Sequence, residues 1–347
     1  MDIYRRIQRR RPSTTFFVIF CLCVVYAVWF FPSRLSQHVS RFKPQKSTAN
    51  CSAYGWPEYI SKQPNTPRKV YDLFMVNTEL DWLEIRLATL YPAVDFFVIV
   101  EGSKTFTGLT KDLTVKKNWA RFEKFHEKMI YHEITYDNYE PSDAWGAEAF
   151  TRNAMFQQAI ENLTGAQKPE AKDVLVVTDV DEIPRPETLE TLRHCSFPRR
   201  VTLWSRFYYY SFQFLHIGAE WSGPKATFYD GANTILPHDL RANRGQALDD
   251  TGSIANASWH CSSCFSTIDE FRVKIKSYSH TEHNTDQYLD SNWIMDHVRI
   301  GKDMWERPGE YYEPLPRNTD VPPYILDNAA RYGYLLNRSG EKAGFLD

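Results

Sequence analysis

The segment Val174-Leu-Val-Val177, followed at once by Thr178-Asp179-Val180-Asp181-Glu182-Ile183-Pro184, constrains the fold more than any other stretch of the chain. An unbroken apolar run of this kind reads as a strand buried on both faces, the habit of a parallel sheet covered by helices. Carboxylates at i and i+2 of an extended segment point to the same side. Asp179 and Asp181 can therefore approach one cation at the end of a buried strand. Mg2+ and Mn2+ take oxygen ligands and share their remaining positions with phosphate oxygens. A divalent ion so held neutralises a departing diphosphate, which is what transfer from a nucleotide-sugar requires. By itself an Asp-x-Asp pair is also found in surface turns and helix N-caps, and Pro184 and Pro186 predict a helix starting close by.

The flanking sequence supplies context for that strand. Residues 69–76, 94–101, 129–134 and 173–178 carry short strand patterns. Residues 79–90 place Leu80, Leu83, Leu87 and Leu90 on one helical face, and residues 147–163 read as a second helix. Strands alternating with helices predict an α/β domain with a central, mostly parallel sheet and helices on both faces. Its ligand site should lie beyond the carboxyl ends of the strands.

Residues 15–31 form an uncharged apolar run preceded by Arg5, Arg6, Arg9, Arg10 and Arg11. As a helix this run spans roughly 25 Å, enough for the thinner bilayers of the early secretory pathway. Bulky Tyr26, Trp29, Phe30, Phe31 and Pro32 stand where a cleaved signal peptide carries small residues. The expectation is a cytosolic tail over 1–14, a transmembrane signal anchor over 15–31, a polar stem over 32–67 and a lumenal catalytic domain over 68–347. That describes a single-pass type II protein of the Golgi or ER membrane. Sequons at Asn50, Asn162, Asn256 and Asn337 lie on the lumenal side, as do Cys51, Cys195, Cys261 and Cys264. Structural disulfides are expected, with all three complete pairings open. Cys261-Ser-Ser-Cys264 also suits a redox pair or half of a zinc site, but no second half with zinc-ribbon spacing is present.

A net charge of -2 and the lack of a basic stripe argue against a nucleic-acid partner. G-x-S-x-G, H-E-x-x-H, Walker and G-x-G-x-x-G signatures are missing, which removes the local marks of hydrolase, metalloprotease and dinucleotide chemistry. The aromatic fraction of 15% suits sugar stacking or a well-filled core.

Several ordered blocks resemble glycosyltransferase family 17, which contains the bisecting β-1,4-N-acetylglucosaminyltransferase of N-glycan processing. They are Val70-Tyr-Asp-Leu-Phe74, Glu79-Leu-Asp-Trp-Leu-Glu-Ile-Arg-Leu87, Phe97-Val-Ile-Val-Glu101 with Thr105-Phe-Thr-Gly108, Asp179-Val-Asp-Glu-Ile-Pro184, Trp259-His-Cys-Ser-Ser-Cys-Phe265 and Lys276-Ser-Tyr-Ser-His-Thr-Glu-His-Asn284. The last looks closer to fungal and plant members than to the animal enzymes. The resemblance implies a GT-A-like catalytic domain and inverting transfer of N-acetylglucosamine from UDP-GlcNAc with Mn2+ or Mg2+. The implied acceptor is a glycan or glycoprotein, with β-1,4 linkage to a mannose of an N-glycan.

Within that frame Asp181 is expected as the direct metal ligand, with Asp179 on the cation or the donor ribose and Glu182 shaping the site. His260 is a candidate downstream ligand, with His280 competing. Glu282 is the candidate general base, because His280 and His283 can orient it, and Glu148 and Asp249 are alternatives. Glu101 is expected on the uridine. Arg152 and Asn153 are expected on the diphosphate or the metal-site carboxylates, against a purely structural salt bridge for Arg152. Arg86 is read as a structural ion-pair partner. Tyr208, Tyr209, Tyr210, Phe212, Phe214 and Trp221 form either an acceptor platform or core. The rival functions are transfer with another donor or acceptor, and a membrane-tethered carbohydrate-binding protein without catalysis.

Overall fold

Four of the predicted strands pair side by side in one direction. The computed structural model describes residues 50–61, 67–137, 139, 141–245 and 250–347. In it β1 (Val70–Met75), β2 (Phe96–Glu101), β3 (Met129–Glu133) and β4 (Val174–Val177) run parallel in the order β3-β2-β1-β4. β1, β2 and β4 are buried on both faces because a helix covers each side, whereas the edge strand β3 is buried only at Met129 and Ile130. Val70, Phe74, Phe97, Ile99, Val174 and Val176 join Leu83, Leu87 and Leu90 of α1 (Leu80–Leu90) in one core cluster. Tyr71, Leu73, Val98, Val100, Leu175 and Val177 face the other way, onto the helical segment that begins with α2 (Ala144–Ala154). Asp143 caps α2 through the Gly146 amide, and the segment continues through a π turn and a 3-10 turn to Asn162.

Beyond β4 the sheet changes character. β5 (Glu182–Pro184) leads into α3 (Pro186–His194), whose first-turn proline fits the predicted helix start. β6 (Arg200–Tyr209), β7 (Ser211–His216), β8 (Lys225–Phe228), β9 (Thr251–Ser262) and β10 (Tyr312–Pro314) complete one ten-stranded sheet. β8 is antiparallel to β4, β6 to β8, β7 to β6 and β10 to β7, whereas β9 runs parallel to β6 and antiparallel to β5. The sheet is therefore mixed, which corrects the expectation of a mostly parallel one. The second half was hidden because its strands mix polar with apolar residues: β9 reads TGSIANASWHCS, with no clean period.

The segment read as stem contributes to the folded body. Trp56 packs on the main core cluster, Tyr59 donates to the His194 carbonyl at 2.7 Å, and Cys51 is disulfide-bonded to Cys195. In the chain-entropy account, closing so long a loop restricts the unfolded chain by about 5 kcal/mol. The second disulfide joins Cys261 to Cys264, so of the pairings open in the sequence the structure selects 51–195 with 261–264. Among the described residues no helix is long and apolar enough to cross a membrane. The run over 15–31 lies outside them.

One buried pair connects this scaffold to the acidic turn. Arg86 of α1 and Asp72 of β1 are both fully buried and form a two-pronged ion pair at 2.8 and 2.6 Å. The remaining donors of Arg86 reach the carbonyls of Asp179 at 2.9 Å and Glu182 at 2.8 Å, and the Thr178 hydroxyl. Arg86 is thus structural, as its sequence context suggested. Removing one partner of a buried pair leaves an uncompensated charge, so Arg86→Met is expected to cost about 3–5 kcal/mol. Urea denaturation of the full chain measures this, and a midpoint unchanged from wild type would show that the pair does not hold the fold.

Candidate active site

The carboxyl ends of the parallel strands open into a cavity of about 1340 Å3. Asp179, Val180, Asp181 and Glu182 form part of its wall, facing Phe207, Trp221, His260, Lys274 and Tyr278 contributed by the second half of the chain. The antiparallel β5–β9 pairing, in which Glu182 stands opposite His260, brings that histidine beside the acidic turn. Register is a tight constraint here, since a slip of one residue would turn the side chain to the other face. The Cys261 amide also donates to the Asp181 carbonyl at 3.2 Å.

The three carboxylates have different surroundings. Glu182 is fully buried and receives Arg241 at 2.6 and 3.0 Å, the Trp221 indole at 2.6 Å and the Asp179 amide at 2.8 Å. Asp179 accepts from Arg152 at 3.0 Å and Arg241 at 2.8 Å, one guanidinium on each oxygen. Burial would raise its pKa, but Arg241 and Arg152 outweigh that and hold the carboxyl well below the usual range. Among the described residues no hydrogen-bond donor reaches the Asp181 carboxylate. Burial pushes its pKa up, against the opposing pull of His260 and Lys274. Asp181 is the carboxylate left open to an added cation.

His260 stands beside it. Its ring packs against Phe207 at 5.0 Å and Trp221 at 5.1 Å, close to parallel with each, and those two rings also touch each other. Its Nδ1 is buried without a hydrogen-bond partner and stands 3.9 Å from the Asp181 carboxylate. A buried polar atom left unsatisfied costs about 1–3 kcal/mol. A divalent cation accepting the imidazole nitrogen and the carboxylate oxygen would satisfy both groups, so these residues fit a metal.

Two cations escaped the sequence reading. Arg241 comes from the short helix α4 (Pro237–Arg241), which is docked on α2 by the His238 amide donating to the Asn153 side-chain oxygen at 2.9 Å. Lys274 lies on α5 (Ile268–Ser277) and points into the cavity. Its ammonium makes no hydrogen bond or ion pair among the described residues. Burial would lower its pKa, but Asp181, Glu79, Asp179 and Glu148 raise it, so it stays charged. Spacing alone offers Glu270 as an i,i+4 partner for Lys274. The structure commits Glu270 to the capping box of α5, and that commitment leaves the lysine free.

Other candidates find different places. Glu101 is fully buried and accepts from the Val115 and Lys116 amides, Lys111 and Tyr131. Glu101 does not line the cavity, and its carboxylate is surrounded by these donors. Asn153 docks α4 and does not line the cavity. Arg152 bonds Glu148 at 2.7 Å as well as Asp179, which is the carboxylate-binding alternative foreseen for it. Glu148 lines the cavity with both oxygens engaged, one by Arg152 and one by the Ser279 hydroxyl. Glu282 does not itself line the cavity, although its neighbours His280 and His283 do; its side chain is 60% exposed and accepts from His280 at 2.9 Å. Asp249 lies outside the described residues. Tyr208, Tyr210, Phe212 and Phe214 are core, and of the six aromatics singled out only Tyr209 and Trp221 line the cavity.

Comparison with known proteins identifies the family. The model of Glycosyltransferase family 17 matches residues 21–342. Human beta-1,4-mannosyl-glycoprotein 4-beta-N-acetylglucosaminyltransferase is 25% identical, over 78% of this chain and 55% of its own length, and the mouse protein of the same name is 24% identical with the same coverage. The chain thus spans about half the length of the curated relatives it matches. Among solved structures, a mannosyltransferase of Pyrobaculum calidifontis in complex with GDP-Man and Mn2+ aligns at TM-score 0.33 and 12% identity, over 80% of this chain and 73% of that one. Glucosyl-3-phosphoglycerate synthase of Mycobacterium tuberculosis aligns at TM-score 0.31 and 12% identity, over 75% and 92%. With the family model matched along nearly the whole chain, this protein belongs to glycosyltransferase family 17.

Proposed function

We propose that this chain transfers N-acetylglucosamine from UDP-GlcNAc, with inversion and with a divalent cation, to a mannose of an N-glycan in β-1,4 linkage. The observation that carries the reading is the open Asp181 carboxylate opposite the unpartnered His260 nitrogen, in the cavity of a family 17 chain. The names of the curated relatives support the donor sugar, acceptor and linkage. The cavity exceeds the roughly 300–1,000 Å3 of a pocket for one small ligand, leaving room for donor and acceptor together.

Asp181 and His260 would hold the cation, which supplies charge neutralisation to the departing diphosphate. Asp179, with a guanidinium on each oxygen, serves to fix Arg152 and Arg241 rather than to ligate directly. Lys274 offers a second positive charge to the diphosphate. The acceptor hydroxyl forms the new bond to the anomeric carbon as the carbon–oxygen bond to UDP breaks, and its proton passes to a carboxylate. Glu282 is the proposed base because it is exposed beside the cavity-lining His280 and His283 and is oriented by His280 at 2.9 Å, whereas both oxygens of Glu148 are engaged.

We place the protein in the Golgi or ER membrane with its catalytic domain in the lumen and a GT-A-like fold. The apolar run over 15–31 supports the anchor. Two disulfides fit an oxidising compartment, and the asparagines of all four sequons are exposed.

Turnover of UDP-GlcNAc with Mn2+ and an N-glycan acceptor tests the reading. Asp181→Asn is expected to fold normally and lose activity at least roughly a hundredfold, on the scale of the several kcal/mol a bound cation supplies. Full activity in that variant would refute the metal assignment. Lys274→Met should raise the donor KM by about tenfold to a hundredfold, the worth of a hydrogen bond to a charged group, and an unchanged KM would remove it from the diphosphate. Glu282→Gln should lower kcat by about 10²–10⁴-fold with donor binding retained. A normal kcat in that variant would transfer the role of base to another carboxylate.

A further inference from the structure

We propose that His280, Glu282 and His283 form a second divalent-metal site at the cavity mouth, suited to a Zn2+-class ion and separate from the Asp181–His260 pair. Their ligand atoms all lie within 4.8 Å of one another. The cause is local. Thr281–His283 is a 3-10 turn with His280 as its N-cap, and three residues per turn bring i and i+3 onto one side. His280 Nδ1 is 2.9 Å and His283 Nε2 3.9 Å from the same Glu282 oxygen.

Both rings are held by neighbours outside the turn. His283 lies flat on Trp305, with centroids 4.0 Å apart and planes 4° apart, and His280 meets the edge of Trp145 at 4.7 Å. These contacts reduce the rotamer freedom that metal binding would otherwise have to freeze. Glu282 has no ion-pair partner among the described residues other than these two histidines, so no arginine or lysine competes with a cation as happens at Asp179.

The two sites differ in chemistry. Two imidazoles and one carboxylate form the three-ligand set that catalytic zinc sites use, with a fourth position open to water. The Asp181–His260 pair has one imidazole and depends on phosphate oxygens to complete a harder coordination shell. An ion on the 280–283 turn would occupy the carboxylate assigned above as the base. Zn2+ should therefore inhibit transfer supported by Mn2+. That consequence rests on the reading of Glu282 as base, whereas the binding itself does not.

Co2+ titration of the full chain carrying Asp181→Asn, followed by visible absorption, tests the site with the first metal position removed. The expected result is a ligand-field band that Zn2+ displaces. His280→Ala or His283→Ala, added singly, should weaken Co2+ at least about tenfold, the scale on which even outer-shell partners act. Near-ultraviolet circular dichroism establishes that each variant is folded. No band at millimolar Co2+, or titration curves unchanged in the folded histidine variants, would overturn the proposal. Binding that follows the histidines without Zn2+ inhibition of the unsubstituted chain would leave the site standing and remove Glu282 as the base.

Discussion

Arg86 and Asp72 are fully buried against each other, and the remaining donors of Arg86 hold the backbone of the turn from Thr178 to Glu182. A turn at the end of a strand is ordinarily one of the more mobile parts of an α/β domain. Here its carbonyls are tied to a side chain anchored between α1 and β1. The direction in which Asp181 projects is therefore set by the core. The same bonds satisfy carbonyls that would otherwise be buried without partners.

Charge around the turn is arranged with equal economy. Arg241 and Arg152 neutralise Asp179 and Glu182, so three carboxylates within four residues of sequence do not repel one another apart. The arginines leave one carboxylate unpaired, and the orphaned nitrogen of His260 stands beside it. A metal-binding function requires such incompleteness, because a fully satisfied acidic cluster gives a cation nothing to gain. Lys274 stands free for a related reason, since the carboxylate best spaced to pair with it is committed to capping its own helix.

Much of the first half of the fold was legible in the sequence. Residues buried on both faces of a parallel strand are mostly apolar, and VYDLFM, FFVIVE and VLVV show it, with the buried Asp72 and Glu101 as the charged exceptions. The acidic turn was legible for the same reason, as polar residues abruptly ending such a run. Strands β6 to β10 were not. A strand with one polar face, bulges and serines carries a weak periodic signal, and its partner is chosen by distant residues. The surroundings of Glu101 were not legible either, because strand-end position reveals where a carboxylate sits but not what donors surround it. Lys111, Tyr131 and the 114–117 turn reach it only in three dimensions.

By itself the sequence determined the parallel core, the helix on each of its faces, the acidic turn and, through ordered blocks, the family. These follow from burial patterns and chain-local motifs, which depend on neighbours a few residues away. Only the tertiary structure decided which carboxylate is free, which arginines hold the others, and that His260 meets Asp181 with an unpartnered nitrogen. Those facts join residues 27 to 79 positions apart, through strand register and side-chain competition for the same lone pairs. No local pattern encodes the outcome of such a competition, because it depends on which donor the fold brings within about 3 Å.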